Sequence, residues 1–249
     1  MFVMQLTGKT AIVTGGGGGI GKAIAAACVR AGAKVMICGR NRTKLERAAA
    51  EIGAGCLPCP ADVANPQDIE RLVQGAAAEF KRVDVLVNNA GVLLPGTSES
   101  LTEDQWEQTW NINVRAVWLL SRAALPHMRA AGGGSIINIG SVLSFLGARN
   151  RVAYAASKGA VLAMTRAMAL DHAAEKIRVN CICPGIVETE LVAPFVVDEA
   201  SRNQRVAMHP LGRFGQPEDV AGLAVFLASD AASWITGAAY TVDGGYTAA

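Results

Sequence analysis

Five consecutive glycines, Gly15 to Gly19, constrain this chain more than any other stretch. A glycine run can be a slack linker or a tight turn. Here the residues before it, Lys9 to Thr14, form a short apolar run that reads as a buried strand. Ile20-Gly21 and an alanine-rich helical pattern to about Arg30 follow at once. Regular structure abuts both ends, so a linker is excluded and a strand–turn–helix unit is implied. Glycines let such a turn close tightly and let a phosphate approach the backbone, and the helix N-terminus presents free N–H groups.

The same alternation continues along the chain. Strands are predicted at Lys34–Gly39, Gly55–Pro60, Val83–Val87, Gly134–Ile139, Ile177–Cys183 and Ala238–Val242. Helices are predicted from near Asn65-Pro66, over 102–130, over 151–175 and over Gln216–Ser229. A Thr102-Glu103-Asp104-Gln105 start has the form of a helix cap. Unbroken β–α alternation without a linker or repeat predicts one α/β domain. Its core is a doubly wound, seven-stranded parallel sheet, a Rossmann fold. Ligands then bind outside the strands' carboxyl ends. The pattern loosens between 190 and 210, after the sixth strand, where a substrate lid would sit.

Composition excludes several classes. The chain of 249 residues is 51% hydrophobic with 27 glycines, which fits a large core and many tight turns rather than disorder. A net charge of +2 argues against nucleic-acid and anionic-membrane partners. No apolar run is long enough to span a bilayer, and the apolar Met1–Leu6 lacks the features of a signal peptide. Cys56 and Cys59 have redox-motif spacing but fall in a predicted strand, not at a helix start, so all six cysteines are read as reduced thiols. Cys181 and Cys183 share one strand face. His127, His172 and His209 show no ligand spacing, and no metal is expected. The expected location is the reducing cytoplasm.

Chemistry-bearing residues cluster at predicted strand ends. Tyr154 and Lys158, four apart on a helix, share a face; an ammonium near a phenol favours the phenolate and would lower its pKa. Gly39 ends the second strand without a carboxylate and Arg40 follows, which favours the 2′-phosphate of NADP over the free ribose of NAD. The glycine loop itself carries no second cation. Asp62 could accept from an adenine amino group or cap the next helix. Asn88-Asn89-Ala90-Gly91 ends the fourth strand with small residues and amides that can brace neighbouring strands. Asn113 is out of place within a helix, either exposed and neutral or holding something.

Taken in order, Thr14-Gly15-x-x-x-Gly19-Ile20-Gly21, Asp62-Val63, Asn88-Asn89-Ala90-Gly91, Asn113, Ser141, Tyr154-x-x-x-Lys158, Pro184-Gly185-x-x-x-Thr189 and Asp243-Gly244-Gly245 resemble the short-chain dehydrogenase/reductase family over nearly the whole chain. The resemblance implies hydride transfer between a nicotinamide cofactor and a ketone or secondary alcohol. NADP(H) is preferred and NAD(H) is the alternative; 3-oxoacyl thioesters, sugars, polyols and small alcohols are candidate substrates. It implies that Tyr154 transfers the proton, Lys158 tunes Tyr154 and holds the nicotinamide ribose, Ser141 orients the substrate oxygen, and Asn113 positions a water next to Lys158. The implied cofactor contacts are Gly15, Gly17, Gly18, Gly19, Ile20, Gly21, Arg40, Asp62, Val63, Asn89, Ala90, Gly91, Tyr154, Lys158, Pro184, Gly185, Val187 and Thr189. Arg129 matches a position at which 3-oxoacyl-carrier reductases dock their acidic carrier, whereas Leu170 falls at the other such position. A homotetramer through the two long helices is implied. A nucleotide-binding regulator that lost its chemistry would be expected to lack at least one of Asn113, Ser141, Tyr154 and Lys158; all are present.

Overall fold

A computed structural model describes residues 5–248. Met1–Met4, most of the apolar N-terminal stretch, lie outside the described residues. The strands are β1 (Thr10–Thr14), β2 (Lys34–Gly39), β3 (Cys56–Pro60), β4 (Val85–Asn88), β5 (Gly134–Ile139), β6 (Ile177–Pro184) and β7 (Ala239–Val242). The helices are α1 (Gly19–Arg30), α2 (Arg42–Ile52), α3 (Pro66–Phe80), α4 (Glu103–Trp110), α5 (Ala116–Ala130), α6 (Val152–His172), α7 (Glu199–Val206) and α8 (Pro217–Ala228). The sheet runs β3-β2-β1-β4-β5-β6-β7 and every pairing is parallel. Strand order therefore reverses between β1 and β4, where a crevice opens at the carboxyl ends.

Strand alternation divides the core in two. Val13, Val35, Ile37, Val87 and Ile137 face α1 and α8, packing with Ile24, Val220 and Leu227. Their neighbours Ile12, Met36, Leu86 and Ile136 face α3 and α5, packing with Leu72, Leu120 and Met128. Both faces of the sheet are covered, which explains strands apolar at nearly every position.

A polar ladder crosses the second core. Asn88 and Asn138 pair in register across β4 and β5. Asn88 Nδ2 donates to Asn138 Oδ1 at 2.8 Å, and Asn138 Nδ2 donates to Thr165 Oγ1 on α6 at 2.9 Å. Such bonds fix α6 against the sheet, and α6 carries Tyr154 and Lys158.

The helical run predicted over 102–130 is continuous but changes its winding. Thr102 does cap its start: its Oγ1 accepts from Gln105 N–H while Gln105 Oε1 accepts from Thr102 N–H. But α4 ends at Trp110 and one wide turn of π-helix, Asn111–Arg115, precedes α5. The cause is Asn113. It is 1% exposed, and its side chain accepts from Val92 N–H and donates to Val92 C=O, both at 2.9 Å. A regular helix would turn this amide away from that loop, and the extra residue per turn keeps it aimed inward.

Asn138→Ala is expected to cost about 1–3 kcal/mol of stability, because the amide of Asn88 is left buried without its main acceptor. Urea unfolding of wild type and variant measures this; a change under about 0.5 kcal/mol, the range of an ordinary surface substitution, would show the ladder to be dispensable.

Candidate active site

Thr14 joins the loops at the order reversal. Its Oγ1 accepts from the N–H groups of Asn89 and Ala90 at 2.9 and 3.0 Å, and Asn89 Nδ2 donates to Thr14 C=O at 2.8 Å. The end of β1 and the Asn89–Gly91 segment thus form one rigid wall. Gly15 and Gly19 take φ values of 67° and 50°, which other residues adopt only with strain. A Cβ on Gly21 would come within 2.8 Å of the Gly15 carbonyl carbon, so this glycine lets α1 pack onto the loop. Gly18 caps α1 without a side-chain hydrogen bond, and the first N–H groups of the helix face a cavity of about 730 Å³. Gly15, Gly17, Gly18, Gly19, Ile20, Arg40, Asn89, Ala90, Gly91 and Thr189 line it.

Lys44 on α2 lines it too, and its role is not evident in the linear sequence. Its Nζ lies 3.2 Å from where a Cβ on Gly18 would stand. The cation missing from the glycine loop is supplied through space. Lys44 also pairs with Glu190 at the start of the 190–210 segment, which joins α2 to that segment.

Asp62 and Val63 do not line this cavity. Asp62 Oδ1 accepts from Ala64 N–H at 2.9 Å, while the cap of α3 is Asn65, whose side chain accepts from Gln67 N–H. Asp62 therefore braces a turn one step before the helix rather than capping it. Val63 is buried in the core on the α3 side.

A second cavity of about 540 Å³ adjoins the first; both are lined by Ile20, Asn89, Gly91, Thr189 and Leu191. Ser141, Tyr154, Lys158, Pro184, Gly185 and Val187 line the second. Ser141 follows β5 and its Oγ accepts from Leu143 N–H at 3.1 Å, leaving its own proton for Tyr154. Lys158 Nζ donates to Ile139 C=O at 2.7 Å. Asn113 reaches α6 as well: its Nδ2 donates to Ser157 Oγ at 3.0 Å, and Ser157 donates to Tyr154 C=O at 2.8 Å. Asn113 is thus joined to Tyr154 through Ser157, a brace not evident from the sequence, and Ser141, Tyr154 and Lys158 line one cavity.

The electrostatics differ from the expectation that Lys158 lowers the phenol's pKa. Burial pushes Tyr154 up to about 12, opposed by the Ser141 hydrogen bond and then by the charge of Arg151. Lys158 Nζ is 5.7 Å from the centre of the Tyr154 ring and is committed to Ile139. Burial lowers Lys158 itself to about 8. Each group loses more by leaving water than it gains from the other at that range. Cys181 and Cys183 lie below, Sγ to Sγ 3.6 Å, on the shared face expected of them.

The sequence comparisons agree with this geometry. A family model described as enoyl-(acyl carrier protein) reductase matches residues 15–247. 2-(S)-hydroxypropyl-CoM dehydrogenase 3 of Xanthobacter autotrophicus is 39% identical over 98% of both chains. The chain belongs to the short-chain dehydrogenase/reductase family. It is an NAD(P)-dependent oxidoreductase acting on CH–OH groups. A 3-ketoacyl-(acyl-carrier-protein) reductase from Brucella melitensis, solved with NADH, superposes with a TM-score of 0.93 at 37% identity, over 98% of this chain and 100% of the other. A Beutenbergia cavernae protein with NADP at low occupancy superposes with a TM-score of 0.94 at 42% identity, over 99% of this chain and 100% of the other. The free helix N-terminus, the glycine cradle and the paired cavities fit a dinucleotide of this kind.

Lys158 makes stability depend on pH in a defined sense. Its pKa is about 8 in the folded chain against an ordinary value of 10.5, so the unfolded chain binds more protons between those values. Below pH 8 the full cost of burying the charge is present, and it is relieved as pH rises to 10.5. Wild type is expected to gain stability relative to Lys158→Met across that window. Urea unfolding of both at pH 7.5 and pH 10 measures it; a constant difference would refute the buried-charge assignment.

Proposed function

We propose that this protein reduces a small ketone, and oxidises the matching secondary alcohol, with NADP(H) as the preferred cofactor. The observation that carries the reading is the meeting of Ser141, Tyr154 and Lys158 in a cavity that adjoins the glycine-loop cavity. When bound, the reduced nicotinamide supplies the hydride to the carbonyl carbon. Tyr154 donates its proton to the oxygen. Burial raises the phenol's pKa, so Tyr154 carries its proton at neutral pH and can act as the donor. Ser141 donates a hydrogen bond to the same oxygen and orients it. Lys158 holds the nicotinamide ribose, and Asn113 fixes the π turn beside it and positions a water that relays protons to Lys158. Pro184, Gly185 and Val187 contact the carboxamide end, and Thr189 the phosphates. Asp62 serves the adenine end only through the turn it braces.

Cofactor preference follows from charge. Gly39 offers no carboxylate to a ribose 2′-hydroxyl, while Arg40 and Lys44 line the same cavity, Arg40 in no ion pair with a described residue and Lys44 paired with Glu190. The 190–210 segment is assigned as a lid, tied to α2 through Glu190–Lys44 and to its own helix through Glu188–Arg202. A free small molecule is favoured over a carrier-bound acyl group, because Arg129 is paired with Glu175 at 2.9 Å and Leu170 offers no charge. We place the protein in the cytoplasm as a homotetramer built on the outer faces of α5 and α6, where Trp118 and Leu170 are exposed. Among the described residues no helix is long and apolar enough to cross a membrane.

Tyr154→Phe is expected to lower kcat for carbonyl reduction by about 10²–10⁴, the usual value of a positioned proton donor; undiminished turnover of a ketone panel would end the proton-transfer assignment. NADPH is expected to quench intrinsic fluorescence at lower concentration than NADH, and Arg40→Asp or Lys44→Glu to narrow or invert that preference. Tighter NADH binding by wild type would reverse the cofactor reading.

A further inference from the structure

The substrate cavity contains charge that the reaction above does not use. Besides Lys158 it is lined by Arg149, Arg151 and Arg205, and by no aspartate or glutamate among the described residues. None of these three arginines takes part in an ion pair with a described residue. Glu199, in the first turn of α7, does not line the cavity, and three other acids near it are committed elsewhere. Glu188 pairs with Arg202 and accepts from Gln216, Glu190 pairs with Lys44, and Asp198 caps α7.

Arg151, just before α6, and Arg205, on α7, converge on one residue. The Arg151 guanidinium stacks 4.3 Å over the Phe195 ring, and Arg205 Nε donates to the Phe195 carbonyl at 3.1 Å. Their charges oppose each other: after the cost of burial, Arg205 is the main cause that lowers the Arg151 pKa. Both are held in place. Asn150 adopts a left-handed φ of 57°, and its carbonyl accepts from Gly96 N–H and from Arg151 Nη1. His209 Nδ1–H donates to Arg205 C=O while its Nε2 accepts from Ile186 N–H. Two like charges held together without a counter-ion leave most of their N–H donors free, and an anion between them would relieve the repulsion.

The arginines line the cavity of Tyr154 and are absent from the glycine-loop cavity, so cofactor phosphates do not account for them. We propose that Arg151 and Arg205 form an anion subsite, and that the substrate is a ketone or secondary alcohol carrying a carboxylate, sulfonate or phosphate group. The proposal rests on the oxidoreductase reading above and adds the substrate class. Arg151 is the residue before α6, three positions ahead of Tyr154, and lines the same cavity. The anion and the reacting oxygen therefore belong to the two ends of one small molecule.

The test uses the enzyme with saturating NADPH. Reduction of 3-oxobutanoate, 4-oxopentanoate and 4-oxocyclohexanecarboxylate is compared with reduction of their methyl esters, and 4-oxopentanoate with 3-oxobutane-1-sulfonate. At least one anion is expected to exceed its neutral counterpart at least about 10-fold in kcat/KM. Arg151→Gln and Arg205→Gln are each expected to reduce that ratio by about 10- to 100-fold, mainly through KM, as for loss of a charged hydrogen bond. The carboxylate and sulfonate arms identify which anion geometry is preferred. Arg205 lies on the solvent-facing α7, so its variant carries the test if Arg151→Gln fails to fold. Equal turnover of acids and esters, or a ratio unchanged in Arg205→Gln, overturns the subsite while leaving the oxidoreductase reading intact. Reduction of 3-oxobutanoyl-acyl carrier protein with no free anion turned over overturns it in favour of a docked carrier. Failure to reduce any of these ketones or the carrier thioester, with NADPH binding intact, counts against the small-ketone reading proposed above.

Discussion

Lys158 is a charge that the fold keeps out of water, 5% exposed and satisfied by one backbone carbonyl at the end of β5. That single acceptor makes strict demands. The helix that carries Lys158 must be pinned at a fixed height against the sheet, and the carbonyl of Ile139 must stay free of any other donor. Asn138 meets the first demand by tying β5 to Thr165 on α6. Gly140 serves the second region, because a Cβ there would come within 3.0 Å of both Cys181 and Cys183 and push the strand ends apart. The position of Tyr154 follows, one helical turn away.

Much of this was legible in the sequence because it is local. A strand, a glycine turn and a helix can be read from neighbours, and the carboxyl ends of parallel strands have to lie together once the alternation is seen. So the seven strands, the glycine loop and the shared helix face of Tyr154 and Lys158 came out of the chain itself, whereas the association of Ser141 with them came from the family resemblance. Contacts across space did not. Lys44 and Gly18 are far apart in the chain yet adjacent in the cavity wall. Arg151 and Arg205 come from different segments and meet only at Phe195. The wide turn after Trp110 was not foreseen: Asn113 stood out as a poor helix former, but the partner that goes with the turn, the backbone of Val92, lies across space. The direction of the Tyr154 shift was missed for a related reason: spacing along a helix reports proximity, whereas burial decides the cost of charge.

Charge is arranged in two separate cationic groups. Arg40 and Lys44 line the glycine-loop cavity, and Arg151 and Arg205 line the cavity of Ser141, Tyr154 and Lys158. The 190–210 segment contributes to both: Glu190 pairs with Lys44, and Arg205 on α7 bonds the Phe195 carbonyl. A segment of mixed polar sequence thus makes a different contact at each end, which is why no simple periodicity describes it.

The π turn at Asn111–Arg115 also sets a phase. Each residue in a helix advances the side chains by about 100°. The wide turn spreads one extra residue over its circuit, so its five residues advance the spiral about as far as four would in an α-helix. Leu120 and Met128 thereby keep the phase that faces the core, with Trp118 and its stacked Arg122 on the outside. A regular α-helix through all five residues would instead rotate α5 by about 100° and turn Leu120 and Met128 out of the core, so the extra residue is absorbed locally and the register of everything after it is preserved.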